Sequence, residues 1–267
     1  MTDHTLPIVW QDDDCVVLVK PAGWLVHRTG LDAGETRFVV QTLRDQLGRK
    51  VYPVHRLDKG TSGVMAMALN SEAASRMATA FEAHAVHKRY LALVRGWAPD
   101  QADVDHPLRP DDASPETPPQ AAHTRFARCA TLSLPLPVDR YPSTRASLVQ
   151  AWPTTGRRHQ IRRHLKHLAH PIIGDATHGK GALNRWWAER WGVQRLWLHA
   201  SELSMPHPFT QELMVWRVDP LEASDRQRWP EVLADWSAVL KAEPWQWAEA
   251  PGHATPPGHC RVDEPGA

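Results

Sequence analysis

The sequence is poor in cysteine. Its three cysteines, Cys15, Cys129 and Cys260, lie far apart in a chain of 267 residues. This spacing provides neither a CxxC metal knuckle nor a disulfide framework. Such sparse cysteine usage suits a reducing compartment, so we expect a cytoplasmic protein.

Long apolar runs are also missing. No stretch approaches the roughly 20 apolar residues that a membrane-spanning helix needs. The first residues, MTDHTLPIVWQDDD, have neither the basic region nor the apolar core of a signal peptide. We therefore expect no membrane association. A hydrophobic content of 42% with 23% charged residues excludes wholesale disorder, because both values are ordinary for globular domains.

Periodicity predicts strands with interspersed helices, and hence an α+β fold rather than regular βαβ winding. Strands are predicted over 8–20 (two, around an Asp turn), 64–69, 88–95, 124–134 and 145–152. Helices are predicted over 35–47, 72–84 with Ser71 as N-cap, 157–169, and from Trp229-Pro230 onward. The Pro- and Asp-rich stretch 99–122 is predicted to be a long surface loop that holds neither a helix nor a ladder.

Charge is unevenly distributed, although the totals of 31 basic and 30 acidic residues nearly cancel. Segment 141–200 contains ten Lys and Arg residues against two acids, an excess of +8. Four tryptophans interleave with these cations: Trp186, Trp187, Trp191 and Trp197. A solvated helical face usually mixes both signs of charge. The one-sign excess beside aromatic rings therefore favours a polyanion partner.

The densest turn chemistry lies in residues 55–63, HRLDKGTSG, just before the predicted strand 64–69. Gly60 and Gly63 permit positive φ, and Thr61 and Ser62 can bond to the local backbone. Asp58 lies in the middle of this stretch. From the residue types alone, Asp58 is either a chemical group or a turn-capping residue.

HRLDKGTSG resembles the HRLD-x-x-TSG signature of the RluA-type pseudouridine synthases, whose aspartate is catalytic. Three further blocks match that family in order: KRY at 88–90, GRRHQIRRH at 156–164, and HPIIGD at 170–175 followed by LHA at 198–200. The resemblance covers roughly residues 8–217. It implies a mixed, largely antiparallel β-sheet flanked by helices, with an RNA-binding cleft across the sheet.

The same resemblance implies roles for individual residues. Asp58 would be the catalytic carboxylate, Arg162 would pair with it, and Tyr90 would lie against the uracil ring. The residues implied to contact the substrate or the RNA are His55, Arg56, Lys88, Arg157, His159, Gln160, Ile161 and Arg163. Pseudouridylation gains no atom, so the reaction needs no redox cofactor, nucleotide or metal.

A metal site has little support from the sequence. His164, His167 and His170 invite a zinc interpretation, but their spacing, the nearby Pro171 and the lack of a CxxC disfavour it. We expect His55 and His199 to be structural hydrogen-bonding residues rather than acid–base groups.

Within the family, the blocks at 20–28, 140–145 and 174–179 resemble most closely the synthases of uridine 65 in tRNA. We expect a short extension at 1–7, a catalytic domain at 8–245 without an S4 RNA-binding module, and a disordered tail at 246–267. The predicted partner is tRNA, bound by a monomer. The alternatives are an enzyme for rRNA, one for both RNAs, and a non-catalytic RNA-binding assembly factor.

Overall fold

A computed structural model describes residues 5–28, 34–111, 113–114 and 116–248. Eleven strands of this part of the chain form one sheet. They are β1 (Ile8–Gln11), β2 (Cys15–Lys20), β3 (Tyr52–Pro53), β4 (Ser62–Ala68), β5 (His87–Arg95), β6 (Gln101–Asp105), β7 (His123–Leu134), β8 (Thr144–Pro153), β9 (Leu198–Pro206), β10 (Leu213–Arg217) and β11 (Gln246–Trp247).

The spatial order of the strands is β1-β2-β4-β9-β5-β8-β7-β11, with β3 beside β4, β6 beside β7 and β10 beside β9. Ser62 and Gly63 of β4 pair in parallel with His199 and Ala200 of β9. The other strand pairs in the described residues are antiparallel. The predicted mixed, largely antiparallel sheet is therefore confirmed.

Helices flank the sheet. They are α1 (Val39–Leu47), α2 (Ser71–Glu82), α3 (Gln160–His167), α4 (Gly181–Trp191), α5 (Ala223–Arg228) and α6 (Ala234–Ala242). Helix α1 ends at 47 as predicted, where Gly48 follows with a left-handed φ of 65°, but it begins at Val39 rather than at 35. The N-cap of α2 is Asn70 rather than the predicted Ser71, because the Asn70 side chain accepts the Ala73 N–H at 2.8 Å. None of the described helices is long and apolar enough to cross a membrane.

Strands β2 and β4 are buried on both faces, which explains why their sequences are continuous apolar runs. Along β2, Val17 and Val19 pack into the cluster that contains α2, whereas Val16 and Leu18 pack into the cluster that contains α1. Every residue of both strands is buried. The loop that precedes β4 is therefore attached to the most enclosed part of the sheet.

The prediction of a structureless loop over 99–122 is wrong for its first part. Residues 101–105 form β6, which pairs along its whole length with β7. This strand escapes a hydrophobicity-based prediction because it lies at the sheet edge and buries mainly Val104. Further along, Leu108 and Gln120 exchange two backbone hydrogen bonds at 2.8 and 3.0 Å. This pair brings the two ends of the remaining loop together.

The four tryptophans that interleave with the cations of the basic segment pack into or against the core, so their rings do not add to the argument for a polyanion partner. Rings of Trp186, Trp187, Trp191, Trp197 and Trp236 follow one another with centroids 4.4 to 5.1 Å apart. Three of them are fully buried. This row of rings packs α4 and α6 against the sheet and buries a large apolar surface. Three of the four contacts between the rings are edge-to-face, a favourable geometry for aromatic pairs.

Both ends of the described chain are anchored. Leu6 is buried, and its backbone exchanges two hydrogen bonds with the side chain of Gln46. Gln246 and Trp247, the first residues of the predicted tail, pair as β11 with β7. The rest of that tail, 249–267, and the first four residues of the predicted extension lie outside the described residues.

We predict that Gly63→Ala destabilises the protein by more than about 3 kcal/mol. Gly63 has a φ of 122°, and an added Cβ would lie 2.2 Å from the Ala200 carbonyl oxygen across the parallel pair. Gly34→Ala is the control, because no atom of the described residues lies within 4 Å of its added Cβ. Urea unfolding of the two variants measures the difference. A Gly63→Ala variant within 1 kcal/mol of the control would contradict this description of the strand pair.

Candidate active site

Asp58 lies in the tight turn between β3 and β4. Its carbonyl accepts the Thr61 N–H at 3.0 Å, which closes the turn. Beneath it, the fully buried Lys20 donates from Nζ to the carbonyl oxygens of Pro21, Trp24 and Lys59 at 2.9, 2.7 and 3.1 Å. Burial lowers the pKa of Lys20 to about 7, although the Asp58 charge acts in the opposite direction. Lys20 thus holds the turn against the end of β2.

Arg162 of α3 connects two carboxylates. Its Nη1 donates to Asp58 Oδ2 at 3.1 Å, as predicted from the motif. Its Nε and Nη2 donate to the two oxygens of Asp175, each at 2.8 Å, in a bidentate pair. The guanidinium is buried and Asp175 is completely so. A buried arginine stays charged, so these two carboxylates are the groups that neutralise it.

Asp175 is itself held by the backbone. The N–H groups of Thr177 and His178 both donate to its Oδ1 at 2.9 Å. Burial alone would raise the pKa of Asp175, but the hydrogen bonds and charge of Arg162, together with these N–H groups, lower it overall. Asp175 therefore fixes the position of Arg162, and Arg162 in turn orients Asp58.

His159 lies directly before α3 in a left-handed conformation, with φ of 55°. Its Nε2 is 3.9 Å from Asp58 Oδ2, and its Nδ1 is 3.3 Å from both His178 Nε2 and Asp111 Oδ2. Burial lowers the pKa of His159, and the Asp58 charge only partly opposes that effect. The ring therefore lies between two carboxylates.

Strand pairing brings Tyr90 to the same place. Ala200 of β9 pairs with Gly63 on one side and with Tyr90 of β5 on the other. The register of β5 against β9 shifts between Arg89 and Tyr90. Burial raises the pKa of Tyr90, and the nearby Asp58 charge raises it further, so its hydroxyl is protonated at neutral pH.

Asp58, Tyr90, His159 and Arg162 line a cavity of about 560 Å³. Ten of the eleven residues predicted for the site are among its lining: His55, Arg56, Asp58, Lys88, Tyr90, Arg157, His159, Gln160, Ile161 and Arg162. The predicted Arg163 is not among them. Several cations and two acids, Asp58 and Glu82, share the lining, so the rim is predominantly positive. A volume of this size accommodates a nucleotide-sized ligand.

Three of the predicted RNA-contacting groups already have partners within the protein. The Gln160 amide nitrogen donates to the His123 carbonyl and to Thr124 Oγ1, both at 2.9 Å. Arg157 Nε donates to the Ala121 carbonyl at 3.0 Å, and Arg163 Nη1 donates to the Arg109 carbonyl at 2.7 Å. These side chains brace the segment before β7 and the loop that ends there.

Two histidines of the site region have structural bonding patterns. His55 stacks on Phe81 with ring centroids 4.8 Å apart, and its Nε2 accepts the Ala66 N–H at 3.0 Å. His199 Nε2 lies 2.8 Å from the Val218 carbonyl, which can only accept, so Nε2 carries the proton. Burial lowers the pKa of both histidines to about 3.

Metal ligation finds little support among the described residues. His164 bonds through one ring nitrogen to Thr124 Oγ1 and through the other to the His106 carbonyl. Elsewhere, ligand atoms of Asp12, Cys15 and His207 lie within 4.8 Å of one another. Burial raises the pKa of Cys15 to about 12, so its thiol is protonated there. A protonated thiol is a poor metal ligand.

Comparisons with known proteins identify the family of this chain. A family model described as RNA pseudouridylate synthase matches residues 14–167. The chain is 46% identical over 244 residues to tRNA pseudouridine synthase C of Salmonella typhi, across 88% of this chain and 92% of that relative. It is 48% identical over 215 residues to tRNA pseudouridine synthase C of Pasteurella multocida, across 78% of this chain and 88% of that relative.

This chain belongs to the RNA pseudouridylate synthase family. The solved structure of Human RNA Pseudouridylate Synthase Domain Containing 1 superimposes with a TM-score of 0.64 at 27% identity, covering 84% of this chain and 88% of that one. Both the family predicted from the motifs and the predicted fold class are confirmed. As a pseudouridylate synthase, the protein is an isomerase.

Sequence reasoning missed three residues of this synthase site, namely Lys20, Asp175 and His178. Lys20 could have been noticed, because a lysine at the end of the apolar strand CVVLV is unusual unless it is bonded. Asp175 stood inside a motif block but was given no role. Nothing local predicts the position of His178, since its contact with His159 depends on how α3 packs.

We predict that Asp175→Asn destabilises the synthase by about 3 kcal/mol at pH 7, because Arg162 loses its bidentate partner while the amide oxygen can still cap the turn. The pKa of Asp175 is lowered below its ordinary 3.8 in the folded state. Its stabilising effect is therefore present above about pH 4 and is lost as the pH falls through the lowered value. The difference between wild type and variant should shrink below pH 4.

Urea unfolding at pH 7 and pH 3 measures this effect. Asp45→Asn, which removes an exposed carboxylate paired with Arg44, is the control and should change the stability by less than about 0.5 kcal/mol. An Asp175→Asn penalty that is equal at both pH values would show that charge is not what Asp175 contributes.

Proposed function

We propose that this protein converts uridine 65 of tRNA into pseudouridine, with Asp58 as the catalytic carboxylate. The observation that carries the proposal is the Asp58–Arg162 pair at 3.1 Å in a cavity with a positive rim. The substrate assignment is supported by relatives named tRNA pseudouridine synthase C, which match most of the chain, and by the motif blocks. We place the enzyme in the cytoplasm as a monomer.

The proposed reaction breaks the N1–C1′ bond of the uridine, turns the uracil and joins C5 to C1′. The C5 proton is then lost and N1 gains one, so atoms and charge balance without a redox cofactor. Asp58 either adds to C1′ or assists elimination to a glycal, and both routes require a carboxylate beside the sugar. Arg162 acts as a positioning residue that aims this carboxylate.

Tyr90 and Ile161 are proposed to form the wall on which the uracil turns. Tyr90 lines the cavity with its hydroxyl protonated, and Ile161 is buried in the same lining. The Tyr90 ring contacts uracil, and its hydroxyl helps to remove the C5 proton in the last step. Arg56, exposed at the rim, fills the space that the flipped nucleotide leaves in the stem.

A uridine inside a stem must leave the base stack before Asp58 can reach its sugar. This extrusion costs a few kcal/mol. Arg56, Lys88 and Arg157 at the rim carry positive charge that phosphates would neutralise, which offsets that cost. The cavity volume of about 560 Å³ has room for the extruded nucleotide.

The test is a pseudouridine map of unmodified tRNA treated with the pure protein. We expect modification at uridine 65, and none in a matched transcript that carries cytidine there. Transcripts of large-subunit rRNA, tested in parallel, separate the tRNA enzyme from a dual-specificity one. RNA binding without release of tritium from C5-labelled uridine would identify a non-catalytic binding factor and contradict the proposal.

We predict that Asp58→Asn lowers the single-turnover rate by at least about 1,000-fold and leaves tRNA affinity within a few-fold. The amide keeps the volume of the side chain but can neither attack the sugar nor carry charge. Asp45→Asn is again the matched control and should react like the wild type. Multiple turnovers by the Asn variant, with deamidation excluded by mass spectrometry, would remove Asp58 from the mechanism.

We predict that Tyr90→Phe binds tRNA normally and stalls after the glycosidic bond is broken. The variant keeps the ring against uracil and loses only the hydroxyl that handles the C5 proton. Acid-quenched single-turnover reactions, analysed for cleaved but unconverted nucleotide, measure the stall. Product formation at the wild-type rate would limit Tyr90 to a stacking role.

A further inference from the structure

Asp111 places a carboxylate beside two arginines and a histidine that follow β8. Its Oδ2 is 3.5 Å from Arg158 Nε and 3.3 Å from His159 Nδ1, and its Oδ1 is 3.4 Å from Arg163 Nη1. All three partners belong to the GRRHQIRRH block, and two of them, His159 and Arg163, were predicted to contact RNA. An acid of the protein thus occupies the position where an RNA anion was expected.

The loop that carries Asp111 is fastened on both sides of this contact. Arg163 donates to the Arg109 carbonyl at 2.7 Å, and Arg157 donates to the Ala121 carbonyl at 3.0 Å. The Leu108–Gln120 backbone pair closes the base of the loop. These hydrogen bonds fix the loop, and the loop keeps Asp111 close to Arg158 and Arg163.

The contact geometry suits exchange with a phosphate. A carboxylate offers two anionic oxygens to the same donors that would bind the non-bridging oxygens of a phosphodiester. The side chains of Arg158 and Arg163 retain 50% and 22% exposure, so an external anion can reach these donors. The distances of 3.3 to 3.5 Å are longer than those of strong charge-assisted hydrogen bonds, as expected of a replaceable occupant.

The position of this cluster relates it to the reaction. His159 faces Asp111 with Nδ1 and Asp58 with Nε2, at 3.3 and 3.9 Å. One imidazole ring therefore separates Asp111 from the proposed catalytic carboxylate. A phosphate bound in place of Asp111 would belong to the target nucleotide or to its immediate neighbour.

We infer that Arg158, His159 and Arg163 form a phosphate subsite that Asp111 fills in the free protein, and that Asp111 thereby makes RNA binding selective. The inference rests on the proposed function, because it takes RNA as the substrate. An RNA that presents the correct stem displaces the carboxylate with its own phosphate. An RNA that binds only the rim leaves Asp111 in place and is repelled by its charge.

The test uses the full chain with Asp111→Asn, and fluorescence anisotropy at several salt concentrations. The probes are a tRNA transcript and a 12-base-pair RNA stem without the target uridine. We expect the variant to bind the stem about fivefold more tightly, with a salt slope steeper by about one. The affinity for tRNA should rise less, so the ratio of the tRNA affinity to the stem affinity should fall.

Two further variants make the result specific. Asp105→Asn removes the same charge from β6, where Asp105 is exposed and forms no ion pair with another described residue, and should leave both affinities unchanged. Asp111→Glu keeps the carboxylate and should restore the discrimination. The subsite would be contradicted if Asp111→Asn bound both RNAs with unchanged or lower affinity. It would also be contradicted if Asp105→Asn raised the affinities as much as Asp111→Asn does.

The outcome is distinguishable from a failure of the proposed function. Binding is measured without turnover, so the subsite stands or falls on the affinities alone. If the wild type formed no pseudouridine in tRNA, the proposed function would fail even where Asp111→Asn tightened RNA binding. If the wild type were active and discrimination did not change, only the role of Asp111 would fail.

Discussion

The buried guanidinium of Arg162 is the constraint on which the site depends. Arginine cannot lose its charge in a protein, so its burial requires anionic partners with good hydrogen-bond geometry. Asp175 supplies two short bonds from the following turn, and Asp58 supplies the third from 104 residues earlier in the chain. Charge neutralisation therefore joins α3, the turn after it and the turn before β4 into one unit.

Pairing between strands fixes the position of the turn that carries Asp58, the side chain that Arg162 orients. Ala200 lies between Gly63 and Tyr90, so the exit from the Asp58 turn and the tyrosine occupy neighbouring strands at one level of the sheet. The close approach at Gly63 leaves no room for a Cβ. Because β4 is buried on both faces, the turn is attached to a rigid support, and Lys20 bonds it from below. A preorganised carboxylate of this kind requires little rearrangement when substrate binds.

In the basic segment 141–200, the charge excess counted along the sequence differs from the charge that the folded protein leaves unpaired. Within the described part of the chain, five of the segment's ten cations pair with acids, and most of those acids come from outside the segment. Arg190 pairs with Glu243, Arg195 with Asp235, and the α3 region with Asp58 and Asp111. Four of these acids, Asp58, Asp111, Asp235 and Glu243, lie outside the segment and reduce its excess from +8 to +4. The charge excess counted along the sequence therefore overstates the positive charge that is available to RNA.

The sequence alone determined the family and the strand-rich α+β class, and ten of the eleven residues that it predicted for the site line the cavity. These follow from short-range signals, such as turn residues, two-residue and 3.6-residue periods, and motifs whose members lie close in the chain. Only the tertiary structure decided that the tryptophans are core, that β6 exists, and that Asp175 and Asp111 hold the cations of α3. Those outcomes depend on contacts between distant segments, and neither residue type nor spacing encodes which distant acid reaches which arginine.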